Sequence, residues 1–133
     1  MASYPLDLEA LHRALREDPE FVLQARFLTT RIRVVIGETQ SFMIVVTDGV
    51  VTEIDPVVTP FDRFDINLEG TEEAWQGLLS PAPAAFYQDF FPAMLHHGFR
   101  LEGDMTTIMA YYPAIRRLND LLRTVPSEGI AAR

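Results

Sequence analysis

The sequence contains no cysteine, which removes disulfides, thiol nucleophiles and thiolate metal ligands, and fits a reducing compartment. It also contains no lysine, because all 11 basic residues are arginine, a bias expected of GC-rich coding. Schiff-base chemistry, acyl transfer to an amine and a phosphate-binding lysine are therefore excluded. Positive charge is scarce: the formal net charge is -8 and the pI about 4.7, so phosphate backbones and anionic lipid surfaces are repelled and nucleic acid is not an expected partner. No glycine-rich loop cradles a phosphate, and Ser3, Ser41, Ser80 and Ser127 lack the context of a nucleophile elbow. No stretch approaches the ~18 apolar residues of a membrane span. The opening MASYPLDLEALH carries neither a basic leader nor an apolar run, so a soluble, cytoplasmic chain without stable membrane insertion is expected.

What is present is ordinary globular material, 48% hydrophobic and 23% charged over 133 residues, enough for one core. A single domain over 1–133 is expected, with an N-terminal helical region over 1–25, sheet and helices over 26–123, and a flexible tail over 124–133. From Asp7 to Asp18, Leu8, Leu11, Ala14 and Leu15 share one helical stripe, with Asp7 as N-cap and Pro19 beyond the end. Glu20 to Ala25 either extends that helical region or leads into a strand.

Arg26 to Ile36 alternates, with Leu28, Thr30, Ile32, Val34 and Ile36 on one side, as a half-buried strand does. GETQ turns the chain into SFMIVV, and Asp48-Gly49 is a strong hairpin signal before Val50 to Ile54. After Asp55-Pro56, Phe64, Ile66 and Leu68 alternate with polar residues as a fourth strand. Thr71 caps the acid-rich helix TEEAWQGLL. SPAPAAFYQDFFPAMLHHG, punctuated by Pro81, Pro83 and Pro92, predicts broken helices. Phe99 to Gly103 is a short strand, and Asp104 caps a last helix to Leu122 with a kink or restart at Pro113. The order predicts an α+β fold with a mainly antiparallel sheet.

Three stretches in this order, VVTDGVVTEI, FDINLEGTEEAWQGLL and GFRLEGDM, resemble the sterol carrier protein 2 family of lipid-binding domains over Leu28 to Leu122. The resemblance implies a five-stranded, mainly antiparallel sheet covered by helices. It also implies an apolar tunnel between sheet and helices that holds a sterol, fatty acyl chain, isoprenoid or similar ligand, and no catalysis. The chain departs from the family in its long aromatic run PAPAAFYQDFFPAMLHH and in carrying Phe42 where a tryptophan is common.

His96 and His97 are adjacent, about 100° apart on a helix, and do not form the i, i+4 pair that clamps a metal. A helix end closed by Gly98 explains them, and no metal or cofactor is expected. The constellation with positive content is apolar: Phe86, Tyr87, Phe90, Phe91, Met94, Phe99, Met105, Met109, Tyr111 and Tyr112. Methionine beside proline-interrupted backbone makes an adaptable wall. The expected ligand-binding residues are Phe42, Ile44, Trp75, Leu79, Phe86, Phe90, Phe91, Met94, Met105, Met109 and Tyr112, and the expected role is carrying a lipid or presenting it to a partner enzyme. One rival is a small isomerase or hydratase using His96 or His97 with Asp89 or Asp104. Another is a non-catalytic accessory subunit that docks through the aromatic run. The sequence leaves monomer and homodimer open.

Overall fold

A computed structural model of the chain describes residues 4–125. Helix α1 (Leu8–Glu17) starts at Asp7, whose carboxylate accepts the Ala10 amide, and it buries Leu11 and Leu15. The undecided segment is helical: α2 (Pro19–Gln24) is capped by Asp18, with proline in its first turn, where no amide donor is needed.

The sheet contains β1 (Thr30–Ile36), β2 (Gln40–Thr47), β3 (Val50–Asp55), β4 (Ile66–Gly70) and β5 (Arg100–Gly103), in the order β3-β2-β1-β4-β5. All neighbours are antiparallel except β1 and β4, which run parallel. The loop from Pro56 to Asp65 makes the crossover that the parallel pair requires. The predicted alternation is observed from Thr30 onward, with Thr30, Ile32, Val34 and Ile36 buried, but residues 26–29, expected to begin that strand, lie in the turn before it, where Phe27 has a positive φ. Register aligns Val34 with Phe42 and Leu68, and Leu68 with Leu101, so one apolar row crosses four strands. Ile54, Ile44, Ile32 and Ile66 form the next row. The Asp48-Gly49 turn joins β2 to β3 with both residues at positive φ, the conformation of a two-residue hairpin.

Helix α3 (Glu72–Leu78) is capped by Thr71. The proline-rich stretch is not a series of broken helices. Residues 80–89 are irregular, and only α4 (Phe90–His97) follows, capped by Asp89 and closed by Gly98 in the left-handed conformation. Pro92 sits in the first turn of α4, where its missing amide costs nothing. Helix α5 (Met105–Ala110) is capped by Asp104, and α6 (Tyr112–Leu122) restarts at Tyr111 with Pro113 in its first turn, as the sequence predicts.

Buried side chains from the inner sheet face and from α1, α2, α3, α4, α5 and α6 form one apolar cluster, an α+β architecture. The expected tail begins inside the described range: Val125 is buried, and its carbonyl accepts the Asp7 amide at 3.0 Å. Residues 126–133 of that tail lie outside the described residues.

The outer sheet face carries a paired polar network beside the apolar Met43 and Val35. Asn67 is fully buried there, accepting from Arg33 Nε at 2.9 Å and donating to Glu69 and Glu102. Arg100 reaches both acids, at 3.3 and 2.8 Å. The Arg33 guanidinium also lies 4.2 Å from the centre of the Phe64 ring, which the crossover loop supplies.

Candidate functional site

Helices α3 and α4 and the approach to β5 bring the aromatic part of the sequence together. Trp75 sits on the buried face of α3, and its indole N–H donates to the Val35 carbonyl at 2.7 Å. Its ring meets Phe90 of α4 at 5.8 Å and Phe99 at 5.2 Å, both edge-on, while Phe90 and Phe99 stack at 5.5 Å. Gly70 makes this possible, because a Cβ there would come within 2.7 Å of the Phe99 ring. Edge-to-face contacts among three buried rings add to their burial energy.

Residues 80–89 run along the outside of this cluster. The Tyr87 ring lies against Gly77 of α3, where a Cβ would meet it at 2.6 Å, and its other face stacks on His97 at 3.8 Å. Phe86 stacks on His96 at 3.7 Å, and His97 Nε2 lies 3.0 Å from the Ala85 carbonyl. Arg123 Nη2 and the Asn119 amide both donate to the Gln88 carbonyl, at 2.9 and 3.3 Å. The segment is thus held by two ring stacks at one side and by α6 at the other.

The predicted ligand-binding residues separate into two layers. Phe42 and Ile44 lie on the inner sheet face, and with Trp75, Leu79 and Phe90 they are buried in the core cluster. Met94 and Tyr112 are partly buried against that cluster. Phe86, Phe91, Met105 and Met109 are exposed, Met105 by 43% and Met109 by 51%. Leu95, which the sequence did not single out, is 62% exposed on α4, one turn after Phe91. The two layers meet at Tyr112. Its hydroxyl donates to Asp89 and accepts the Phe91 amide at 3.0 Å, while Phe91 packs edge-on against its ring. Burial, aided by the Asp89 carboxylate, pushes the Tyr112 hydroxyl well above its usual range, so it remains a proton donor.

The histidine and carboxylate groups take other partners. Asp89 holds Tyr112, the first turn of α4 and, at 3.7 Å, Arg116. Asp104 accepts the Thr106 and Thr107 amides and the Thr107 hydroxyl, the last at 2.7 Å. Those hydrogen bonds, the Thr107 hydroxyl first, hold its carboxyl below the usual range. Among the described residues, no group of three or more histidine, cysteine, aspartate or glutamate side chains is placed to hold a metal ion. An open polar cleft of about 370 Å³ adjoins Tyr112 between α2 and α6, lined by Glu20, Gln24, Tyr112, Arg116, Arg117 and Asp120.

The ring stacks of His96 and His97 were not legible in sequence, since the residues lie ten positions apart and only the loop path joins them. The Asn67 network was missed for a related reason: its members come from three strands whose order was unknown.

No protein family model matches the sequence, and no curated protein does. Three solved structures do match in three dimensions. Sterol carrier protein 2 aligns with a TM-score of 0.71 at 17% identity, over 88% of this chain and 93% of its own. A conserved hypothetical protein from Thermus thermophilus aligns with a TM-score of 0.70 at 17% identity, over 95% and 94%. The ubiquinone synthesis protein UbiJ-SCP2 aligns with a TM-score of 0.51 at 18% identity, over 86% and 90%. With the strand order, the DG hairpin and the Gly-Asp corner in place, the chain has the sterol carrier protein 2 fold.

Proposed function

We propose that the protein binds an apolar, lipid-like molecule between its sheet and the α3 to α5 wall, and carries or presents it without chemistry of its own. The observation that carries this reading is the cluster of three aromatic rings packed between the sheet and the helices, with further apolar side chains left in solvent on α4 and α5. Trp75, Phe90 and Phe99 form a buried ring cluster over the inner sheet face, while Phe91 and Leu95 on α4 and Met105 and Met109 on α5 stay in solvent. An apolar ligand would extend the inner layer and gain ~25 cal/mol for each Å² of apolar surface it hides. Sterol, acyl and isoprenoid chains all satisfy that chemistry. The non-catalytic part of the reading is supported by the engagement of both histidines in ring stacks and of both acids in caps. The reading is tested by organic extraction of the purified protein followed by mass spectrometry. A stoichiometric lipid is expected; an empty protein that also takes up no fatty acid or sterol on incubation overturns it.

A second reading is favoured by the same exposed side chains, namely an accessory subunit that covers them with a partner enzyme. Protection of residues 81–97 from amide exchange in a stable complex, without any bound lipid, would select it.

A further inference from the structure

Among the described residues, three buried side-chain polar atoms have no hydrogen-bond partner in the protein: the Tyr4 and Thr30 hydroxyls and Oδ1 of Asn119. A hydroxyl turns about one bond to suit its surroundings, whereas a carboxamide is planar and offers its acceptor in a fixed direction. Asn119 lies on α6 and is fully buried, on the face that also carries Ile115, Leu118 and Leu122. Those three neighbours belong to the apolar core, so the acceptor is shielded from bulk water and has no protein donor. Leaving it unpaired costs free energy that a leucine of similar size would not.

The other half of the carboxamide fixes its orientation. Nδ2 donates to the Gln88 carbonyl at 3.3 Å, and turning the amide over would set Oδ1 against that carbonyl oxygen, acceptor against acceptor. Asn119 is not needed to hold Gln88, because Arg123 donates to the same carbonyl through Nη2 at 2.9 Å and to the Leu78 carbonyl through Nε at 2.9 Å. These bonds also locate the carboxamide. It stands where α3 ends and the chain enters α4, the two helices that supply Trp75 and Phe90 to the ring cluster.

We propose that Asn119 Oδ1 accepts the hydroxyl of the bound molecule, and that this molecule is a lipid alcohol, a long apolar body ending in one hydroxyl. The assignment rests on the carrier reading and narrows it. An alcohol brings the donor that the buried carboxamide lacks, while its apolar body takes the space beside Phe90. A fatty acid is ionised at neutral pH and presents acceptors only, so its carboxylate and Oδ1 would oppose each other. A hydrocarbon, an ether or an ester has no proton to give. Shielding from water makes the selection strong, because a ligand without the donor leaves the carboxamide oxygen unpaired.

The test compares hexadecanol, its methyl ether and hexadecanoate, each competing with the same fluorescent lipid for the protein. The wild-type chain is expected to bind hexadecanol about tenfold more tightly than either of the others. Asn119→Leu keeps the volume and removes the acceptor. It should fold, since Arg123 still holds Gln88, and should bind the alcohol and the ether alike. Equal binding of hexadecanol and its ether by the wild-type chain, an undiminished preference in Asn119→Leu, or an equal loss of all the probes in that variant overturns the proposal while the carrier reading stands. If none of the probes binds the wild-type chain, both fall together. The wild-type comparison needs no variant, so it decides even where Asn119→Leu does not fold.

Discussion

At Asp18 one carboxylate joins two helices. Oδ2 accepts the Phe21 amide at 2.8 Å and so caps α2, while Arg117 of α6 forks onto both oxygens, at 3.0 and 2.8 Å. The Arg117 hydrogen bonds, against the opposing effect of burial, hold the Asp18 carboxyl below its usual range. Its folded pKa therefore lies below the unfolded value of about 3.9, so its stabilisation is complete above that value and fades as pH falls through the folded one. Thermal melts should be flat near neutrality and fall below pH ~4, and Asp18→Asn should flatten part of that fall while keeping the cap. Asp18→Ala loses the cap as well, at a cost of ~0.5–2 kcal/mol, measurable by urea denaturation. The cap residues Asp7, Thr71 and Asp104 were all legible in the sequence, because an N-cap is decided within four residues. Arg117 as the partner of Asp18 was not, being 99 positions away. Gly103 is legible as a turn but not as an obligation: at φ 124°, a Cβ there would lie 2.1 Å from the Asp65 carbonyl oxygen. Gly103→Ala should cost more than ~1 kcal/mol, whereas Asp104→Asn, which keeps the cap and loses only the charge and the bond from the Thr107 hydroxyl, should lower the melt less than Asp104→Ala does.

The element whose form departs most from its sequence pattern is the proline-rich run. Three prolines over twelve residues read as interruptions of helix, yet Pro81 and Pro83 belong to irregular chain and Pro92 begins α4 rather than breaking it. The pattern of prolines shows where a helix is impossible in its interior. It does not show that Asp89 starts one three residues before Pro92. What holds residues 80–89 in place is a set of side-chain contacts, the Phe86–His96 and Tyr87–His97 stacks and the two donors to Gln88. A segment without ladder hydrogen bonds opens locally at small cost, which suits a gate over the aromatic wall. His97→Ala removes one stack and the contact to Ala85, so amide exchange from Ala84 to Gln88 should accelerate while the exchange of β1 stays unchanged. A saturating fatty acid should slow the same amides in the wild-type chain. Equal exchange with and without ligand would place the gate elsewhere, and a loss of affinity of several hundredfold in His97→Ala would return weight to the enzyme reading.

Across the whole molecule, hairpin logic accounts for β1 to β3, but not for the placement of β4 on the far side of β1. That step depends on a crossover carried by an irregular loop, for which the sequence offers only Asp55-Pro56 and a change of pattern. The same crossover aligns Arg33, Asn67 and Glu102 across three strands, so the outer face became readable only once the strand order was known. The inner face was readable earlier, because burial follows the alternation of β1 directly. Between that face and the helices, Trp75, Phe90 and Phe99 touch one another, so a ligand that inserts there must first displace a ring. Binding affinity then includes the cost of that displacement, and removing the ring in advance should raise it. Phe90→Ala, which deletes a fully buried side chain, should destabilise the protein by ~3–5 kcal/mol. Adding a long-chain fatty acid or a sterol should raise its melting temperature more than that of the wild-type chain, since the ligand stabilises the folded state in proportion to its affinity. Phe21→Ala, at an equally buried ring on α2, provides the control, with a comparable loss of stability and no added response to ligand. If both variants respond to lipid alike, the ligand does not occupy the space beside Phe90, and the site between the sheet and the α3 to α5 wall is ruled out.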